Sequence, residues 1–253
     1  MLYNYQVSEK TQNIRTKIIQ YLEEIKETET GNTHANLVKY IPIKNRLKSP
    51  SFIKKYKNIT SPTQLNEIAN QRFRIEEINT QKAYNLIDQV NNLSVDTFLA
   101  SHKLLMSNLL SSPGEYRKTS MDIRVGKKLS HAAPPAIFVP SMISKLFDSF
   151  NNTQECLFIK SCVLYNQIGR IHPFLDGNGR IQRYWFIKSL MEVNPIFYYL
   201  PIERILKQNH KKHFQALRLS DTSDDATPII EMMIETVIYQ GLKSLFETKP
   251  SRI

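Results

Sequence analysis

The sequence predicts a mostly α-helical protein, a helical bundle carrying one small β-hairpin. Apolar residues recur every three or four positions along most of the chain. Only 7 of 253 residues are glycine, too few for a fold built from many tight hairpins. One stretch, residues 115–125, is polar and alternating, and Gly126-Lys127 follows it as a turn.

Each element follows from local pattern. Residues 8–27 repeat Ile14, Ile18, Tyr21, Leu22 and Ile25 at helical spacing, and 28–34 are polar around Gly31, a loop. Residues 35–62 are punctuated by Pro42, Pro50 and Pro62 and read as short helices and extended pieces. Pro62 suits a first helical turn, so a helix is expected over 62–77, with separate helices at 80–91 and 95–110. Ser111-Ser112-Pro113-Gly114 is a helix stop. Residues 131–140 hold Pro134, Pro135 and Pro140 and read as irregular, with Pro140 opening a helix to about 150. Residues 154–168 are apolar around most of their circumference and predict a buried central helix ending at Gly169. Helices are expected at 178–192, 202–217 and 227–246, with 221–225 a loop. The expected division is an N-terminal helical region, 1–92, and a core, 93–253.

Bulk properties bound the function classes. The net charge of +11, from 34 Lys+Arg against 23 Asp+Glu, suits acidic partners, although a solvated basic surface is the simpler reading. Cys156 and Cys162 lie six apart on a predicted helix, facing different ways, which fits a reducing compartment and provides no metal site. No apolar run reaches the roughly 18 residues of a membrane span, and the first residues lack signal-peptide character. The expectation is a cytoplasmic protein without membrane attachment, with export by a dedicated secretion machine left open. A homo-oligomer is compatible with the sequence.

The chemistry concentrates in one place. Gly169, Gly177 and Gly179, three of the seven glycines, fall within eleven residues. They surround His172-Pro173-Phe174-Leu175-Asp176-Gly177-Asn178-Gly179-Arg180, with Arg183 three residues later, between two helical runs. Gly-Asn-Gly can take positive φ and let the main chain approach a ligand closely. Free N–H groups at a helix start form an anion nest. Arg180 and Arg183 share one helical face and can both reach phosphate oxygens. Asp176 is a hard carboxylate suited to a Mg²⁺ that bridges phosphates. His172 can be neutral near pH 7 and still accept a proton from a hydroxyl. Any one of these residues alone would read as a cap, a turn or a solvated face; their order and spacing favour a polyphosphate site.

This run resembles the Fic family motif: His-Pro-Phe, any residue, Asp or Glu, Gly-Asn-Gly-Arg, two residues, Arg. Every fixed position matches. The resemblance implies the mostly helical Fic fold and transfer of AMP from Mg-ATP to a Ser, Thr or Tyr hydroxyl of a target protein. By position it implies His172 as general base and Asp176 as Mg²⁺ ligand. Gly177, Asn178, Gly179 and Arg180 would cradle the α- and β-phosphates, Arg183 would hold the γ-phosphate, and Phe174 would anchor the loop. The hydroxyl would attack the α-phosphorus, pyrophosphate would leave, and His172 would take the proton.

Two further stretches are similar to the family. Pro113-Gly114-Glu115-Tyr116-Arg117 resembles the opening of the Fic flap, which here would comprise Lys118, Thr119, Ser120, Met121, Asp122, Ile123 and Arg124 and pair with target backbone. Glu76, after Arg72-Phe73-Arg74-Ile75, resembles the glutamate of the family's inhibitory helix. That helix carries Ser or Thr where this chain has Arg72 and Gly or Asn where it has Glu77. The implied contact is a Glu76–Arg183 ion pair, and a glutamate so placed could also position water for AMP removal.

Three other readings compete. Doc-like relatives transfer phosphate and carry Lys at the position of Gly179, so Gly179 favours AMP transfer. A nucleic-acid-binding or toxin–antitoxin interaction module would need a basic, aromatic face or a helix-turn-helix, and neither stands out. His210 and His213, near Lys207, Lys211 and Lys212, form a basic patch read as solvated surface, and nucleic acid is disfavoured as a partner. His34, His102 and His131 show no partner pattern, and no His/Cys/Asp cluster has the spacing of a metal hydrolase.

Overall fold

The computed structural model describes residues 4–28, 62–90, 92–125 and 128–247. The expectations for residues 29–61 and for the Gly126-Lys127 turn lie outside them. The described chain is mostly helical, as its periodicity predicts. In order it contains α1 (Glu9–Thr28), α2 (Pro62–Asn85), a 3₁₀ turn Ile87–Gln89, α3 (Val95–Leu105), strands β1 (Asp122–Val125) and β2 (Lys128–Ala132), a 3₁₀ turn Ala136–Phe138 and α4 (Val139–Asn152). Then come α5 (Leu157–Ile171), α6 (Asn178–Met191), a 3₁₀ turn Pro195–Tyr199, α7 (Ile202–Gln208) and α8 (His210–Ser223). The last helix runs as α9 (Thr227–Met232), a π-helical segment Met233–Tyr239 and α10 (Gln240–Glu247).

α5 and α6 pack against each other at the centre. Both are buried or half-buried along their whole length, as helices with no solvated face. Trp185 of α6 is fully buried, with Phe98 of α3 at 5.8 Å and Phe147 of α4 at 5.1 Å between ring centroids. Phe98 also meets Phe174, from the loop between α5 and α6, at 5.4 Å, so the motif loop is bolted to the core by an aromatic chain. A capping box starts α3: Thr97 N–H donates to Ser94 Oγ at 3.3 Å, and Ser94 N–H donates to Thr97 Oγ1 at 3.1 Å. α1 lies on the last helix, where Lys10 Nζ meets Glu235 Oε2 at 2.7 Å. β1 and β2 pair antiparallel, from Asp122↔Ala132 to Val125↔Lys128, with a register shift after Ile123.

Several boundaries differ from the sequence reading, most of them for a tertiary reason. The expected break between 77 and 80 is absent, and α2 runs unbroken to Asn85. Asn79 and Thr80 are buried there, and Asn79 Nδ2 donates to the carbonyls of Leu105 (3.3 Å) and Ser107 (2.6 Å). That capture ends α3 at Leu105 rather than 110. Gly169 does not stop α5. It lies inside the helix because α6 comes so close that a Cβ there would sit 2.6 Å from Gln182 Nε2. Residues 131–132 belong to β2 rather than to an irregular segment, since the ladder continues with Ala133 N–H donating to Met121 O at 3.2 Å. The expected 202–217 helix is divided at Asn209, and α8 then extends to Ser223 into the expected loop.

Candidate active site

The motif folds as a helix end, a tight loop and a helix start. His172 caps α5 in the left-handed region, with φ 50° and ψ 60°, and its N–H still donates to Ile168 O at 3.1 Å. That conformation is uncommon for a residue with a Cβ and persists only where its surroundings enforce it. Arg117 does so. Its Nε donates to His172 O at 2.8 Å and its main-chain N–H to Pro173 O at 2.9 Å. The same guanidinium reaches the carbonyls of Thr119 (2.8 Å), Ile171 (3.4 Å) and Pro134. Arg117 is buried, and desolvation lowers its pKa.

His102 holds the loop from below. Its ring stacks on Phe174 at 3.5 Å with 4° between planes. Gly114 N–H donates to its Nδ1 at 2.9 Å, so Nδ1 is unprotonated and the proton sits on Nε2, which donates to Asp176 O at 2.9 Å. Burial, the main cause, and the nearby Arg180 charge lower its pKa to about 4, overriding the raising effect of the Asp176 carbonyl. The sequence shows no partner for His102, because nothing in the local pattern marks a contact 74 residues away.

Gly177 has φ 84°, the positive value the sequence suggests, and a Cβ would lie 2.6 Å from Met106 Sδ, so the close approach seen here is to a core side chain. Gly179 differs: it lies within α6, and its missing Cβ instead leaves room for Arg183, whose Nη1 would be 3.0 Å away. The Asn178 side chain turns into the loop. Its Oδ1 accepts from Phe174 N–H (2.9 Å) and its Nδ2 donates to Phe174 O (2.7 Å), so only its main chain is offered outward. The first N–H groups of α6 have no carbonyl one turn back within the helix, and they carry its positive dipole end.

The charged residues meet over this helix start. Asp176 is half exposed; its Oδ1 accepts from Gly177 N–H (2.7 Å) and Arg180 Nη2 (3.2 Å). Its Oδ2 accepts from Arg72 Nη2 at 2.7 Å. Glu76 Oε1 lies 3.1 Å from Arg180 Nη1 and 3.4 Å from Arg72 Nε. The Glu76–Arg183 pair implied by the resemblance is therefore not formed. α2 brings Glu76 over the first motif arginine, while Arg183 Nε reaches Glu203 Oε1 of α7 at 3.1 Å. Glu203 does not stand out in the sequence; an acidic residue after Pro201 carries no motif signal.

His213 also departs from its sequence reading. It faces inward to Tyr165, its Nε2 lying 3.0 Å from the hydroxyl, and burial lowers its pKa to about 4. It is not part of a basic surface patch. Beside the hairpin lies an open groove of about 600 Å³ lined by Leu99, Gly114, Tyr116, Arg117, Ile137 and Pro140. Ile137 and Phe138 are exposed at 81% and 55%, an apolar patch hidden in the sequence among the prolines.

The residues present fit a magnesium ion of the phosphate-bridging kind. Such ions use one or two carboxylates plus substrate phosphates, and Asp176 offers one half-exposed carboxylate beside the helix start. Among the described residues, no group of three or more His, Cys, Asp or Glu forms an all-protein metal cage.

The model of the Fic/DOC family matches residues 92–190. A probable protein adenylyltransferase of Aquifex aeolicus is 28% identical over 147 residues, which is 53% of this chain and 42% of that protein. The chain thus matches less than half the length of that relative. A Fic family protein from Desulfovibrio desulfuricans G20 superposes with a TM-score of 0.76 at 26% identity, covering 95% of this chain and 75% of that one. Fic-1 from C. elegans (residues 134–508) is alike in fold, with a TM-score of 0.60 at 16% identity, covering 94% of this chain and 74% of that one.

Proposed function

We propose that this chain, whose residues 92–190 are a domain of the Fic/DOC family, is a protein adenylyltransferase that moves AMP from ATP to a hydroxyl side chain of a target protein. The family relationship makes it an enzyme transferring a nucleotidyl or other phosphate-containing group. The observation that carries the finer reading is the meeting of Asp176, Arg180 and the α6 N-terminus just after His172, which is locked in the left-handed region.

In this reading the α6 N–H groups and Arg180 hold the α- and β-phosphates, and Arg183 turns from Glu203 to the γ-phosphate. Asp176 would hold Mg²⁺, which supplies charge neutralisation on the phosphates when bound. His172 accepts the proton of the attacking hydroxyl, a bond forms to the α-phosphorus, and pyrophosphate departs. Residues 118–124 at the hairpin pair with the target backbone. Residues 93–253 act as the catalytic core, and 1–92 as the N-terminal helical region that carries the inhibitory helix, about 62–77. The test is incubation with labelled ATP and Mg²⁺ and mass spectrometry for an added adenylyl group. The parent should label; His172→Ala should label about 10²–10⁴ times more slowly. Equal labelling would sink the reading.

Glu76 restrains the site in the same proposal. Its contact with Arg180, rather than Arg183, withholds that guanidinium from phosphate. Charge-assisted bonds are worth about 1.5–3 kcal/mol, so Glu76→Gly should raise labelling roughly tenfold; an unchanged rate would show that Glu76 does not inhibit. Its position also favours a second reading, removal of AMP by a water that Glu76 orients. A self-labelled protein would then lose its label faster in the parent than in Glu76→Gly, and equal rates of loss would remove this second reading.

A further inference from the structure

We propose that Arg72 is a built-in counter-cation for Asp176, occupying the carboxylate oxygen a divalent ion would use, so that the ion enters the site only by displacing it. This rests on the reading above, in which Asp176 receives the metal.

Three contacts aim Arg72 at that oxygen. Nη2 is 2.7 Å from Asp176 Oδ2, Nη1 donates to Leu109 O at 3.3 Å, and Nε is 3.4 Å from Glu76 Oε1. The main-chain carbonyl and Glu76, one turn along α2, orient the guanidinium as a fork. Asp176 Oδ1 is already shared by Gly177 N–H and Arg180. Oδ2, the oxygen that Arg72 holds, is therefore the site of competition. A dication arriving there meets a guanidinium at contact distance. Like charges a few ångströms apart in a partly buried site repel strongly, so metal binding and the Arg72–Asp176 pair exclude each other. The shared carboxylate oxygen of Glu76 couples the two helices: Arg72 screens Glu76 while Glu76 holds Arg180. A Ser or Thr in place of Arg72 would form no such charge pair.

The discriminating quantity is the metal dependence of nucleotide binding, not its strength. Free ATP carries more negative charge than its metal complex, so loss of a nearby cation shifts the ratio by itself; Arg74→Gln gauges that background, and removing a competitor for the metal raises the ratio beyond it. The experiment is calorimetric titration of ATP into the full chain, once in chelator and once in saturating Mn²⁺, for the parent, Arg72→Gln, Arg72→Lys and Arg74→Gln. Arg74 is exposed on the same helix and serves as a charge-matched control. The ratio of Kd in chelator to Kd in Mn²⁺ should rise about fivefold in Arg72→Gln, the scale of one partly exposed charge-assisted pair. It should stay near the parent value in Arg74→Gln and in Arg72→Lys, which keeps the competing charge. A ratio in Arg72→Gln within twofold of the parent, or one raised equally by Arg74→Gln, overturns the proposal alone. A parent that binds ATP in neither condition overturns the adenylyl-transfer reading and this proposal with it.

Discussion

Arg117 grips the main chain of His172: its Nε donates to the His172 carbonyl at 2.8 Å across 55 residues of sequence. The candidate base sits in a strained conformation because the buried Arg117 guanidinium holds the carbonyls of Ile171 and His172 while its main-chain N–H holds that of Pro173. These acceptors are neutral carbonyls, so the guanidinium acts here as a structural fork.

Arg117→Lys should therefore damage both stability and chemistry. An ammonium cannot span carbonyls from Thr119, Pro134 and His172 in one plane. Each buried acceptor left unpaired costs about 1–3 kcal/mol, so urea unfolding should show a loss of roughly 2–4 kcal/mol. Labelling should fall further than the folded fraction does, because His172 is no longer pinned. A variant with parental stability and rate would show that the loop holds itself.

Glu203 restrains Arg183 from the opposite side, at 3.1 Å and with its own side chain 40% exposed. Pairs this exposed contribute about 0.2–1 kcal/mol. Glu203→Gln should release the guanidinium and tighten ATP binding by up to about fivefold, read as Kd by calorimetry. Weaker binding would reverse the sign of the idea and make Glu203 a residue that aims Arg183.

The two motif glycines should respond in opposite ways. Gly177→Ala forces a Cβ into the left-handed region, 2.6 Å from Met106 Sδ. Strain of about 1–2 kcal/mol and overpacking of about 1–3 kcal/mol predict a clearly lowered unfolding midpoint. Gly179→Ala lies in α6 against the far end of the Arg183 side chain, at 3.0 Å. Helix propensity alone favours alanine by about 1 kcal/mol, so the fold should hold or gain while ATP affinity drops as Arg183 is pushed aside. Equal destabilisation in both variants would contradict the difference in their surroundings.

The sequence exposes what is local. Residues 172–183 are contiguous, so their order can be read directly, and helical periodicity foretells the bundle. What it conceals depends on contacts distant along the chain. Residues 78–79 read as a gap between two helices until Asn79 is seen binding the carbonyls of Leu105 and Ser107. Gly169 reads as a helix end until Gln182 is seen against it. Arg72 reads as a mismatch to a pattern; only the packing of α2 over Asp176 gives it a partner. Glu76 can be identified by resemblance, but which arginine it meets is decided by helix placement, and here that is Arg180.

Two histidines set an acid limit on the fold. His102 and His213 have folded pKa values of about 4 against an ordinary 6.5, each lowered chiefly by burial. Both are neutral in the folded chain and protonate readily once unfolded. Unfolding then takes up protons, and stability falls with decreasing pH through the window from about 6.5 to 4. Each histidine accounts for on the order of 3 kcal/mol across that window. Between about pH 6.5 and 5, above the range where most carboxylates titrate, urea unfolding should show uptake approaching about two protons. His213→Asn should bring this down to about one. The remaining proton belongs to His102, whose charging removes the acceptor for Gly114 N–H and loosens the loop that carries Asp176. Stability independent of pH across that range would mean that both rings protonate within the folded protein.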